Sequence, residues 1–137
     1  MSVAYLLDTN VLSEPLRPEP SKSLLRTVRK HEGRLATCAP VWHELLFGYR
    51  RLPDSRRRTL LETYLRNVVQ ATIPILPYDE TAAEWHARER ARLSSKGRPP
   101  AFVDGQIASI AAVHDLTVVT ANKKDFARFE IKTANWF

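Results

Sequence analysis

Ala4-Tyr5-Leu6-Leu7-Asp8-Thr9-Asn10 is the stretch on which the fold turns. The apolar run is too short for a helix and passes directly into a polar cluster. It therefore reads as a buried first strand closed by Asp8, with Asp8-Thr9-Asn10 beginning a loop or a helix N-cap. Working outward, Leu35 to Cys38, Ile73 to Leu76 and Leu116 to Val119 read as further strands, and a last short strand falls near Ile131. Helical patterns separate them. Ser21 caps a helix with Leu24, Leu25 and Val28 on its inner face, ending near Gly33. Pro40 suits the first position of a helix through Trp42, Leu45, Leu46 and Tyr49. Asp54 or Ser55 opens another, with Leu60, Leu61, Tyr64, Leu65 and Val68 at helical spacing, which stops before Pro74. Asp79 caps a long amphipathic helix through Leu93, and Phe102-Val103-Asp104 enters an Ala/Ile-rich helix over 107–113. Strands separated by helices predict an α/β fold with a parallel-type sheet and helices on both faces. Neither a repeat nor an internal boundary interrupts the pattern, so residues 1–137 are expected to form a single domain.

Composition narrows the function. With 44% hydrophobic and 26% charged residues spread along the chain, a disordered or low-complexity protein is excluded. The longest uninterrupted apolar run, Val3 to Leu7, falls far short of the ~18 residues a membrane span needs, so no membrane association is expected. Cys38 is the only cysteine; it offers neither an internal disulfide nor a CxxC zinc site, which points to the cytoplasm. The net charge is +6, and it is unevenly placed: residues 50–98 carry 11 basic and 6 acidic groups, whereas residues 99–137 carry 4 of each. A basic middle third suggests a polyanionic partner, most simply nucleic acid. Of the 21 basic residues 15 are arginine, whose planar fork suits phosphate oxygens. Arg50, Arg51 and Arg57 are candidates for an RNA backbone.

Four carboxylates stand apart by position. Asp8 closes the first strand, Glu44 lies in the helix after the second, Asp104 opens the helix before the fourth, and Asp125 follows the fourth after a polar turn. In an open parallel sheet, sites form beyond the carboxyl ends of the strands at a topological switch point, and these four acids could converge there. Two carboxylates at ~5 Å repel by roughly 3 kcal/mol at an effective dielectric near 20, and a cation relieves this. Carboxylates without a Cys or His cluster suit a hard ion, Mg²⁺ or Mn²⁺. Metal-assisted phosphodiester hydrolysis follows as the chemistry.

Together Asp8-Thr9-Asn10-Val11-Leu12, the Trp42-His43-Glu44-Leu45 helix with Gly48, Asp104 heading its Ile/Ala-rich helix and Thr120-x-Asn122-x-x-Asp125-Phe126 resemble the PIN domain. The opening from Asp8 through Pro20 is similar to VapC/FitB-like toxins of bacterial toxin–antitoxin modules. The resemblance implies a three-layer α/β/α fold with a five-stranded, mostly parallel sheet. It makes Asp8 and Asp104 the central metal ligands, with Glu44 completing the acidic cluster and Asp125 as the fourth acid; Asn10 and Thr120 orient them. It also implies a Mg²⁺-dependent ribonuclease acting on tRNA or ribosomal RNA, a cognate antitoxin that reaches operator DNA on the toxin's behalf, and a homodimer. His43 departs from the family, where small apolar residues are commoner.

Other candidates read more plainly. His31, His43, His86 and His114 lack ligand spacing, and His43-Glu44 lacks the second His of HExxH. Cys38 reads as a small buried residue, and Trp85 as core or partner interface. Two readings compete with catalysis: a non-catalytic RNA-binding or co-repressor subunit, and a phosphoryl-accepting domain. The latter normally wants a second acid near the first strand and an aspartate after the third, and the sequence provides neither.

Overall fold

The computed structural model describes residues 2–137. Five short strands form one sheet: β1 (Tyr5–Leu7), β2 (Leu35–Cys38), β3 (Ile75–Leu76), β4 (Thr117–Val119) and β5 (Thr133–Ala134). Their spatial order is β3-β2-β1-β4-β5, and every neighbouring pair is parallel. The expected mostly parallel sheet is thus wholly parallel. The chain builds outward from β1 through β2 to β3, then returns to lay β4 on the other side of β1. That reversal makes the gap between the carboxyl ends of β1 and β4 the switch point. Tyr5 pairs with Leu35 on one side and Thr117 on the other, so β1 is the central strand. Its Leu6 and Leu7 are almost fully buried, as are Ala36, Cys38, Val118 and Val119 beside them.

The helices flanking the sheet begin where the sequence provides caps. Asp8 caps α1 (Thr9–Ser13), Ser21 caps α2 (Lys22–Lys30), Ser55 caps α4 (Arg56–Tyr64) and Asp79 caps α5 (Glu80–Ser95), each side chain accepting from a backbone N–H of the first turn. Pro40 lies in the first turn of α3 (Ala39–Arg50), where its missing N–H costs nothing. Helix α6 (Phe102–Val113) buries Gly105, Ile107, Ala108, Ser109, Ile110 and Ala111, and its small side chains let it pack closely against α5 and β4.

Two elements differ from expectation. The last strand lies at Thr133–Ala134 rather than near Ile131, because Val118 and Thr120 donate to Lys132 and Ala134 carbonyls two residues later. After Tyr64 the helix loosens into a π-helical segment, Leu65–Gln70. This rotates the faces, so Leu65 and Val69 are buried while Leu60, expected inside, is 58% exposed and Val68 is also exposed. Helix α4 itself buries no side chain fully, and Tyr64 fixes it to α1 by donating to the Leu12 carbonyl at 2.7 Å. Among the described residues no helix is long and apolar enough to cross a membrane.

Candidate active site

Asp8 owes its place to the end of β1. Its N–H donates to the Val119 carbonyl of β4 and its own carbonyl accepts from Val11 and Leu12, so strand and helix fix its backbone from both sides. Its carboxylate is then held by two donors, the Thr9 N–H at 2.8 Å and the Thr120 hydroxyl at 2.8 Å. Thr120, wholly buried at the end of β4, also accepts from the Asn122 N–H. Asn10 accepts from the Ala121 N–H at 3.3 Å and ties α1 to the same turn. Both supporting residues expected from the sequence therefore bind across the β1/β4 gap.

Glu44 projects from the first half of α3, exposed, and accepts from the Thr9 hydroxyl at 2.9 Å. Sequence reasoning missed Thr9; the signal was available, as a hydroxyl directly after the strand-closing acid. Thr37 was also missed. It is buried in β2 and donates to the Leu7 carbonyl at 2.8 Å, bracing the last residue before Asp8. Asp104 sits in the first turn of α6, partly buried, and Asp125 is exposed at the end of a 3₁₀ turn, Lys123–Asp125.

The four acids share one electrostatic neighbourhood. Burial, and then the charges of Asp125, Asp8 and Glu44, pushes the Asp104 carboxyl up to about 6, with Arg128 opposing. Burial also raises Asp8, reinforced by Glu44 and Asp125, while its hydrogen bonds to Thr120 and Thr9 hold it down. Cys38, at the end of β2, has its thiol pushed up to about 12 by burial, with Asp8 and Glu44 adding to it. It is a buried, unreactive residue, as its sequence context suggested.

Among the described residues no three carboxylate, imidazole or thiol groups are gathered tightly enough to enclose an ion by themselves. The donor set nevertheless fits a hard divalent cation. It consists of carboxylate oxygens only, burial and then the neighbouring acids raise both Asp8 and Asp104, a penalty on the charged forms that a cation relieves, and Mg²⁺ binds through one or two carboxylates while keeping several waters. Asp8 and Asp104, with Glu44 and Asp125 around them, would be the residues to hold it.

The arginines divide. Arg50 and Arg51 are exposed at the end of α3, lying over the rings of Tyr49 and Phe47. Arg57 lies elsewhere, on the rim of a cleft of about 730 Å³ with Leu16, Pro18 and Leu60. A second apolar cleft, about 510 Å³, runs between α1, α2 and the π-helical segment. None of the four acids lines either. Trp85 is half-buried against Phe129, as core.

The chain is 33% identical over 138 residues to Toxin FitB of Neisseria gonorrhoeae, covering 95% of this chain and 96% of that protein. It is 31% identical over 124 residues to VapC ribonuclease Y4jK of Sinorhizobium fredii, covering 88% and 89%. The solved structure of FitAcB from Neisseria gonorrhoeae superposes with a TM-score of 0.87 at 31% identity, covering 96% of each chain. The family model described as the PIN domain matches residues 5–132, from the first residue of β1 to just before β5, and with it the chain belongs to the PIN domain family.

Proposed function

We propose that the chain is a Mg²⁺-dependent endoribonuclease, the toxin subunit of a toxin–antitoxin pair, with tRNA or ribosomal RNA as substrate. What carries the reading is one arrangement: carboxylates that act on one another electrostatically, Asp8 at the end of β1 and Asp104 in the first turn of α6 among them, in a chain with net charge +6. An acidic pocket repels phosphate, and only a cation between them reconciles the pocket with a polyanionic substrate. The similarity to a protein named VapC ribonuclease supports the same chemistry.

Asp8 and Asp104 hold the ion, and Mn²⁺ can replace Mg²⁺. The divalent cation supplies an acidified attacking water and neutralises charge developing on the phosphate. Thr120 and the Thr9 N–H fix Asp8 in direction and oppose the rise that burial imposes on it, so that no reorganisation is needed when substrate arrives. Thr9 holds Glu44 through its hydroxyl, and Glu44 and Asp125 complete the acidic ring. Asn10 holds the β4 turn against α1. Arg50 and Arg51 bind the RNA backbone, an interaction that weakens as salt rises.

The partner is a cognate antitoxin, in keeping with the similarity to Toxin FitB. The two apolar clefts beside α1 give it a dry surface. Arg17, Arg56 and Arg57 on the wider one favour an acidic amphipathic segment, so Arg57 serves the antitoxin rather than RNA. Operator DNA is reached only through that partner; the toxin acts as a homodimer in the cytoplasm.

Purified chain is expected to cleave total RNA with Mg²⁺ or Mn²⁺ and to stop on adding EDTA. Asp8→Asn and Asp104→Asn should each lower the cleavage rate at least ~100-fold, the scale on which a preorganised electrostatic group acts. Full activity in both variants would remove the site. RNA binding without turnover at every metal concentration would instead favour a co-repressor subunit.

A further inference from the structure

Helix α3 buries Val41, Leu45 and Tyr49, and turns the opposite face to solvent with His43, Glu44, Phe47 and Arg50; Arg51 caps its end. Phe47 is 53% exposed. A scattered surface phenylalanine needs no explanation, but this one belongs to a ladder of flat groups at four-residue spacing. The His43 ring lies nearly parallel to it, at 17°, with centroids 6.2 Å apart, and the Arg51 guanidinium lies over it at 4.6 Å. The ladder starts beside a site acid: His43 precedes Glu44, and Phe47 follows it by three residues, about 4.5 Å along the helix axis.

Two details suggest that the ladder is incomplete without a ligand. At 17° and 6.2 Å between centroids the two rings stand near the wide end of the range for offset-stacked pairs. One more flat ring needs roughly twice the contact distance, which a small swing of two exposed side chains provides. Gly48, next in sequence to Phe47 and one turn after Glu44, faces open space: a Cβ there would meet nothing within 4 Å. Glycine weakens a helix relative to alanine, and nothing among the described residues needs the gap.

We propose that His43 and Phe47 clamp one unpaired RNA base adjacent to the phosphate at the acidic centre, with Arg51 backing Phe47 and Gly48 leaving room for the sugar–phosphate chain. This rests on the ribonuclease reading and specifies the substrate feature it selects. The occupant is a nucleotide because the ladder combines planar faces with the cations Arg50 and Arg51 beside an acidic metal site, the complement of a base joined to phosphates. A base inside a duplex is already stacked and paired, so the clamp favours loops and single strands.

The test uses the full chain carrying Asp104→Asn to prevent cleavage, and a single-stranded 12-mer RNA with one 2-aminopurine. The parent should quench the probe by stacking. Phe47→Leu and His43→Ala should each weaken binding on the order of ten-fold and abolish quenching, Phe47→Trp should retain both, and a blunt duplex of the same sequence should bind all variants alike. The clamp is overturned if Phe47→Leu binds and quenches as the parent does. It is also overturned if Phe47→Leu dissociates a dimer in sedimentation and weakens single strand and duplex equally, since the face then belongs to a second copy. With Asp104 intact, metal-dependent cleavage that is indifferent to both clamp substitutions removes the clamp alone. A chain that neither binds nor cleaves RNA removes the ribonuclease reading and the clamp with it.

Discussion

Gly48 and Gly105 are both helical glycines within one turn of a site acid, and their surroundings are opposite. Around Gly48 a Cβ would meet empty space; at Gly105 it would lie 2.2 Å from Nε2 and 2.6 Å from Cδ2 of His86. His86 is a buried residue of α5 whose Nδ1 is bonded to the Tyr78 hydroxyl at 2.8 Å and whose ring lies against Phe102. Its Nε2 has no hydrogen-bond partner among the described residues. At Gly105 the missing side chain is therefore filled from within, and it seats α5 against the turn of α6 that carries Asp104. At Gly48 it leaves an opening outward. The same residue type serves packing behind the site and access in front of it.

The largest expected effect breaks the packed side. Gly105→Ala must displace His86 or α6 and should cost about 3 kcal/mol in urea unfolding. In the His86→Ala background the same substitution should cost much less, because the two changes share one contact. Unchanged stability of Gly105→Ala would show that the contact is not made.

Next comes the neighbouring acid. Asp104 binds its proton more tightly folded than unfolded, since burial and the surrounding acids raise it from 3.8 to about 6. Its contribution therefore falls as pH rises between those values, and the full penalty remains above about 6. Asp104→Asn should raise stability by about 1.5 kcal/mol at pH 7.5, allowing for solvent screening, and by almost nothing at pH 4. Mg²⁺ should raise the melting temperature of the parent at pH 7.5 but not that of the variant. Thermal scans at both pH values, with and without Mg²⁺, check the sign; a variant stabilised equally at pH 4 and 7.5 would contradict it.

His86 gives a smaller effect of the other sense. Burial, followed by the Arg90 charge, holds it below the usual 6.5. As pH falls through 6.5 the unfolded chain takes up a proton that the folded chain refuses, so stability declines. Relative to the parent, His86→Phe should lose about 1 kcal/mol less between pH 6.5 and 5.5; identical slopes would mean that His86 is not protected. The smallest expected change sharpens the open side. Gly48→Ala should stabilise the fold by about 0.5–1 kcal/mol while weakening binding of single-stranded RNA. A gain in stability with no loss of binding would leave the opening without a role.

Much of the fold was legible because the decisive signals are local. Asp8, Ser21, Ser55 and Asp79 cap helices through their own first turns, and the apolar runs of β1, β2 and β4 are too short to be anything but strands. Asp8, Asp104 and Asp125 stand out by their places at element ends, and Glu44 by its place in the helix after β2. What failed was long range or irregular. The exposure of Leu60 follows from Leu65–Gln70 winding as a π-helix, which the apolar spacing does not announce. The place of β5 follows from its pairing with β4 across the chain. Thr9 passed unnoticed because its partner Glu44 is 35 residues away.

By itself the sequence determined the order of elements, the basic middle third and the four acids, because caps, breaks and charge are properties of neighbours along the chain. Only the tertiary structure decided that Thr120 secures Asp8 across 112 residues and that the charges of Asp8, Glu44 and Asp125 act on Asp104. It also decided that one glycine is filled while another stands open. Those outcomes depend on β4 returning to the far side of β1, and on helices laid against each other once the sheet exists. They are set by distances in space, which no spacing along the sequence encodes.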